Sequence, residues 1–140
     1  MKAGGAGSQE DIMIAGIGID TVSVPRISGL IDRYGERFLR KVFTDRERSE
    51  GLERVDSADF FAARFAAREA FFKALGTGWG RGISLKEVGV VRGDQGRPGF
   101  EFSERVKDVL EQRNIAFCHL SLTHDGGTAQ ALVIMEGGER

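Results

Sequence analysis

Residues 60–82 read FFAARFAAREAFFKALGTGWGRG, and the two halves of this stretch obey different chemistry. Up to Leu75 it is built from Ala, Phe, Arg, Glu, Lys and Leu, with no Pro, Gly or β-branched residue, so intrinsic propensity predicts a helix. Gly76, Gly78, Gly80 and Gly82 then end it. Glycine reaches the positive φ of a helix C-terminal cap, and a glycine-rich loop lets backbone come close to a ligand. Spacings of four and three put Ala62, Ala66, Glu69 and Lys73 on one face, flanked by Phe65. Glu69 and Lys73 at i,i+4 are in the first instance an ordinary helix-surface pair, worth about 0.2–0.5 kcal/mol. The glycines add a second reading, a lysine just before a loop suited to phosphate, in a spacing that is not that of a P-loop.

A chain of 140 residues with 41% hydrophobic content has room for one domain with a core. Twenty basic residues against 21 acidic ones leave no global field to attract nucleic acid. Cys118 is the single cysteine and lies in an apolar run, which reads as a buried core thiol in a reducing compartment. With no apolar run long enough to span a bilayer and an N-terminus unlike a signal peptide, the expectation is a cytoplasmic protein without a membrane partner. Residues 1–11 are Gly, Ala and polar residues, expected to be a disordered tail or a remnant of cloning, and residues 12–140 form the domain.

The segment 12–20, IMIAGIGID, reads as a buried strand. Met13, Ala15, Ile17 and Ile19 are expected on one face, Ile14, Gly16, Gly18 and Asp20 on the other. Two glycines leave room beside Asp20 for another backbone or a ligand, while an aspartate there also suits a simple turn cap. Pro25 fits the first turn of a helix capped near Ser23 or Val24, with Ile27, Leu30, Ile31 and Tyr34 as its apolar stripe. A second short helix past Gly35 carries Phe38, Leu39 and Phe43, and Thr44 caps a further turn. Between Pro25 and Arg48 seven basic residues face four acidic ones, which is either a solvated surface or a docking face for an acidic partner. Residues 83–91 and 100–102 read as strands around the turn at 93–99. Ser103 reads as a helix cap, and AFCHLSLTHDGGTAQALVIM reads as an antiparallel hairpin with His124 at its tip.

GIGID at 16–20 followed by Arg26, FAAREAFFKALGTG at 65–78 and SLTHD at 121–125, in that order, resemble the holo-acyl-carrier-protein synthase family of bacterial 4′-phosphopantetheinyl transferases. The resemblance implies an α+β fold, with a mainly antiparallel sheet packed against a long central helix and a trimeric assembly whose active sites lie between subunits. It implies Mg²⁺-dependent transfer of the 4′-phosphopantetheine arm from coenzyme A to a serine of apo acyl carrier protein, releasing adenosine 3′,5′-bisphosphate, a step of fatty acid biosynthesis. Asp20 and Glu69 fall on the family's metal-binding acids, and Lys73 on the lysine that meets the pyrophosphate. His124 falls near the coenzyme A phosphates, and Gly76 and Gly78 on the loop that follows the lysine. Arg26 belongs to the helix that docks the carrier protein. Arg68 and Phe72 depart from the family's usual Lys and Ser, and Arg68 keeps the charge for a coenzyme A contact, although its planar fork is no copy of an ammonium.

Phosphoryl chemistry on a pyrophosphate requires neutralised charge and positioned atoms more than a covalent intermediate. Two carboxylates are a sufficient protein share for Mg²⁺. Gly16 and Gly18, facing Ala62 and Ala66, are expected to let the strand end approach the helix. Either Glu69 or a metal-bound water accepts the serine proton, and sequence does not choose between them. The alternatives are a non-catalytic α+β module that binds a nucleotide or an acidic partner, and a hydrolase using His124 and Asp125, which lacks an activated Ser or Cys.

Overall fold

A computed structural model describes residues 11–77 and 82–138 of the chain. Its first element, β1 (Ile12–Ser23), runs three residues beyond the acid expected to end it. Ser23 then caps α1 (Val24–Tyr34), its hydroxyl accepting from the Arg26 N–H with Pro25 in the first turn. Gly35 separates α1 from α2 (Glu36–Val42), and Thr44 opens α3 (Asp45–Leu52) with a reciprocal capping box to Glu47. The longest helix described is α4 (Ser57–Leu75), which starts three residues before Phe60 and ends in a left-handed Gly76 at φ 84°. Then come β2 (Val88–Arg92), β3 (Pro98–Phe102), α5 (Glu104–Gln112), whose cap is Ser103, β4 (Ile115–Asp125) and β5 (Thr128–Gly138).

The strands form two antiparallel sheets: a three-stranded one ordered β1-β5-β4 and a separate β2-β3 hairpin. The single sheet expected from the sequence is thus divided, and α4 explains the division. Fourteen of its 19 residues are buried, so it offers no polar side to solvent over most of its length. Ala70 and Ala74 meet β1, whereas Phe71 packs against Phe100 and Phe102 of β3 with ring centroids 5.4 and 5.2 Å apart. Residues 70 and 71 point about 100° apart around a helix, so the two sheets cover different sides of it.

Close approach to β1 occurs two turns further along α4 than expected. A Cβ built on Gly18 would fall on the Ala70 carbonyl, and one on Gly16 on the Ala74 carbonyl, so the glycines answer Ala70 and Ala74 rather than Ala62 and Ala66. The alternation in β1 also breaks. A register shift between Ile14 and Gly16 leaves Ile14 59% exposed instead of sharing a buried face with the glycines. Nor is the outward side of β1 covered: Ile17 and Ile19 are each 58% exposed, and with Leu132 of β5 they form an open apolar row. The last hairpin turns on Gly126 and Gly127, both at positive φ, so His124 lies in the ladder opposite Ala129 and not at the tip. Cys118 faces inward, and burial pushes its thiol up to about 11. No described helix is long and apolar enough to cross a membrane.

Candidate active site

Two regions gather chemistry. In the first, β1 and α4 run side by side in a register set by their contacts: Gly16 lies at Ala74, and Gly18 at Ala70, one turn earlier. Asp20, two strand residues beyond Gly18, continues in the direction of the N-terminal half of α4. Lysine side chains on a helix lean toward its N-terminus. Accordingly, Lys73 Nζ reaches back to donate to Ile19 O and to Asp20 Oδ1, each at 3.0 Å. Asp20 is largely covered, with 15% of its side chain exposed, while that of Lys73 is 55% exposed. Glu69 is half-buried one turn before Lys73. Residues 20 and 73, distant in sequence, thus share one corner at the β1 edge, with Glu69 adjacent on the helix. Among the described residues no group of three or more metal-type side chains assembles, and the contacts at the corner are those of Lys73 with the Asp20 carboxylate and the Ile19 carbonyl.

The second region is a pocket of about 310 Å³ at the β4 edge, where Arg54, Arg64, Arg92 and His124 outnumber the two carboxylates of its lining, Asp56 and Asp59. Arg64 is 3% exposed, lies 3.7 Å over the Phe60 ring, and its Nε has no hydrogen-bond partner. Burial pulls its guanidinium down to about 10, opposed by the charges of Glu47 and Glu50. Arg54 donates to both oxygens of Asp56 at 2.8 and 3.2 Å, which lowers the Asp56 pKa. A buried cation with an unused donor, in a concave site with two further arginines and a histidine, suits an anion with several acceptor oxygens. No local pattern marks Arg54, Arg64 and Arg92 as a group. Each looks like a surface arginine, and only the packing of α4 between β2 and β4 unites them.

His124 therefore falls in the anion pocket, and Gly76 caps α4 immediately beyond Lys73. Gly78 lies outside the described residues. Arg26 is exposed on α1, whose neighbouring groove is lined by Leu30, Tyr34, Arg37, Phe38 and Lys41. Arg68 is a correction. It is 0% exposed, and all three guanidinium nitrogens donate within the protein, to Glu47, the Leu85 carbonyl and the Arg64 carbonyl, so it has no reach to coenzyme A. Residue 68, five positions before the lysine that reaches β1, faces the core.

This α+β chain belongs to the 4′-phosphopantetheinyl transferase superfamily, whose family model matches residues 16–129. Within it the similarity is to holo-[acyl-carrier-protein] synthases. The synthase of Sphingopyxis alaskensis is 43% identical over 129 residues, covering 89% of this chain and 97% of that one. The crystal structure of the Neisseria meningitidis synthase superposes with a TM-score of 0.83 at 34% identity, over 88% of this chain and 98% of that one. The Bacillus anthracis synthase, solved in complex with CoA (3′,5′-ADP), gives a TM-score of 0.73 at 34% identity over 90% and 99%.

Proposed function

We propose that this protein transfers the 4′-phosphopantetheine group from coenzyme A to a serine of apo acyl carrier protein, yielding the holo carrier and adenosine 3′,5′-bisphosphate for fatty acid biosynthesis in the cytoplasm. The observation that carries the reading is the Lys73 ammonium on Asp20 beside Glu69, in a chain similar to synthases over nearly their whole length. A non-catalytic binding module is not favoured by those relatives.

Asp20 and Glu69 are the residues to hold Mg²⁺. The fit rests on donor chemistry: the corner presents hard oxygens, and Asp20 Oδ1 with Ile19 O already receives a cation, the ammonium of Lys73. When bound, the metal supplies charge neutralisation at the pyrophosphate. Lys73 pairs with phosphate oxygens and stabilises the charge that builds on the leaving bisphosphate. Glu69 takes the proton of the attacking serine hydroxyl. Arg64, Arg54, Arg92 and His124 hold the remaining phosphate of the nucleotide, and Arg26 on α1 meets the acidic carrier protein.

The corner lies at the β1 edge of the three-stranded sheet and the pocket at the β4 edge. A homotrimer covering the Ile17, Ile19 and Leu132 row brings the corner of one subunit to the pocket of the next, which places each active site between subunits. Incubation with coenzyme A, Mg²⁺ and an apo carrier protein, followed by intact-mass spectrometry of the carrier, tests the reaction. The arm is expected on the serine, and a carrier that stays apo overturns the reading. Light scattering tests the assembly, with a trimer mass expected for the wild type and a monomer for Ile19→Asp. Asp20→Asn, inactive alone, and Arg64→Ala, active but with a raised KM for coenzyme A, should give more activity at low coenzyme A when their subunits are mixed than the two give separately.

A further inference from the structure

We infer that the buried Arg68–Glu47 pair is a positioning device for the anion pocket: it fixes the segments that deliver Arg54, Arg64 and Arg92, and thereby sets the grip of this site on a phosphate. The inference rests on the pocket being a coenzyme A phosphate site.

Both partners are sealed from water, at 0% and 1% exposure. Arg68 donates from Nη1 to Glu47 Oε2 at 3.0 Å and from Nη2 to Glu47 Oε1. Its Nε donates to the Leu85 carbonyl at 3.0 Å, and Nη1 also to the Arg64 carbonyl at 3.1 Å. Glu47 in turn accepts the Thr44 N–H at 2.8 Å and the Val90 N–H at 3.1 Å. These ties land on the segments that carry the pocket arginines. The Arg64 backbone is held directly. Val90 stands two residues before Arg92 in β2, and α3, which carries Glu47, closes at Leu52, two residues before Arg54. Arg68 lines no part of the pocket, so it acts through these residues.

Electrostatics point the same way, because Glu47 leads the charges that oppose the desolvation of Arg64. A buried ion pair can be exchanged for apolar side chains with little change in stability, so stability alone gives no reason to hold two charges here. The planar fork of arginine, serving several acceptors at once, is suited to fixing geometry.

The test is the double variant Glu47→Leu with Arg68→Met, which fills the space without charge, beside Arg64→Ala as the pocket control. KM is measured for coenzyme A, for dephospho-coenzyme A and for the carrier protein, together with melting temperature and oligomer mass. The double variant is expected to keep fold and assembly while KM for coenzyme A rises about tenfold, the scale of one charge-assisted hydrogen bond. KM for dephospho-coenzyme A and for the carrier should stay put, so discrimination between the two nucleotides falls. A folded double variant with wild-type discrimination, when Arg64→Ala has lost it, overturns the inference and leaves the pocket reading intact. Unchanged discrimination in Arg64→Ala overturns both. Should the double variant not fold, Arg68→Lys gives the same readout: it keeps the buried charge and cannot reach every acceptor, so a reduced discrimination supports the inference and an unchanged one overturns it.

Discussion

Helix α4 carries two ion pairs five residues apart, and they differ in almost every respect that matters for chemistry. Arg68–Glu47 is closed to water and every guanidinium nitrogen is engaged within the protein. Lys73–Asp20 is open on the lysine side, where an ammonium with three donors uses two of them, on Ile19 O and Asp20 Oδ1. The first pair cannot change partners without unpacking the core. The second can exchange one partner for a phosphate oxygen at little cost, because exposed pairs are worth only about 0–1 kcal/mol. A charge on this helix is thus available for catalysis where its partner is replaceable and structural where it is not, and net charge along the sequence does not distinguish the two.

The largest expected effect breaks this contrast from the buried side. Glu47→Gln leaves a guanidinium uncompensated in the core, and a loss of about 3–5 kcal/mol is expected from chemical denaturation. Lys73→Met should change stability by no more than about 1 kcal/mol and lower the transfer rate about 100-fold. The reverse outcome, a stable Glu47→Gln protein and an unfolded Lys73→Met protein, removes the distinction. Next in size is Gly18→Ala, whose methyl group meets the Ala70 carbonyl and must push β1 from α4. Destabilisation of about 1–3 kcal/mol is expected, with transfer falling as well because Asp20 moves with the strand. Wild-type turnover in Gly18→Ala would show that the corner does not depend on this contact.

Much of the fold was legible because its signals are local. The Ala- and Phe-rich composition of α4 and the glycine at its end require no partner to be read, and Gly76 caps it as expected. Ser23, Thr44 and Ser103 accept from backbone N–H groups three residues on, which is what makes them visible as caps. What escaped depends on contacts between distant segments. The burial of Arg68 is decided by Glu47, 21 residues earlier, and by the Leu85 carbonyl, 17 residues later. The division of the sheet follows from α4 being apolar all round, which composition shows and a face-by-face reading of Glu69 and Lys73 hides. For the candidate site, Asp20, Glu69, Lys73 and His124 were named from motifs, and the structure brings Asp20 and Lys73 into contact. Arg54, Arg64 and Arg92 have no motif to announce them.

A third ion pair sharpens the comparison through pH. Glu87, in the turn before β2, receives Arg105 Nε and Nη2 at 3.1 and 2.8 Å, Ser103 Oγ at 2.8 Å and the Ser84 N–H at 2.9 Å. The Arg105 hydrogen bonds, outweighing the opposing effect of burial, hold its carboxyl near 2, against an ordinary value of 4.5. Since the folded value is the lower one, the ionised carboxylate stabilises the fold fully above about 4.5, and that contribution is lost as pH falls toward 2. Arg105 is 62% exposed, so solvent screens the pair and the effect is the smallest of the series. Glu87→Gln is expected to melt a few degrees below wild type at neutral pH, with the gap closing between about pH 4.5 and pH 2. A gap that persists at the acid end would assign the loss to hydrogen bonds that a neutral carboxyl also makes, and the pair would then resemble Arg68–Glu47, held by geometry, more than Lys73–Asp20, held by charge.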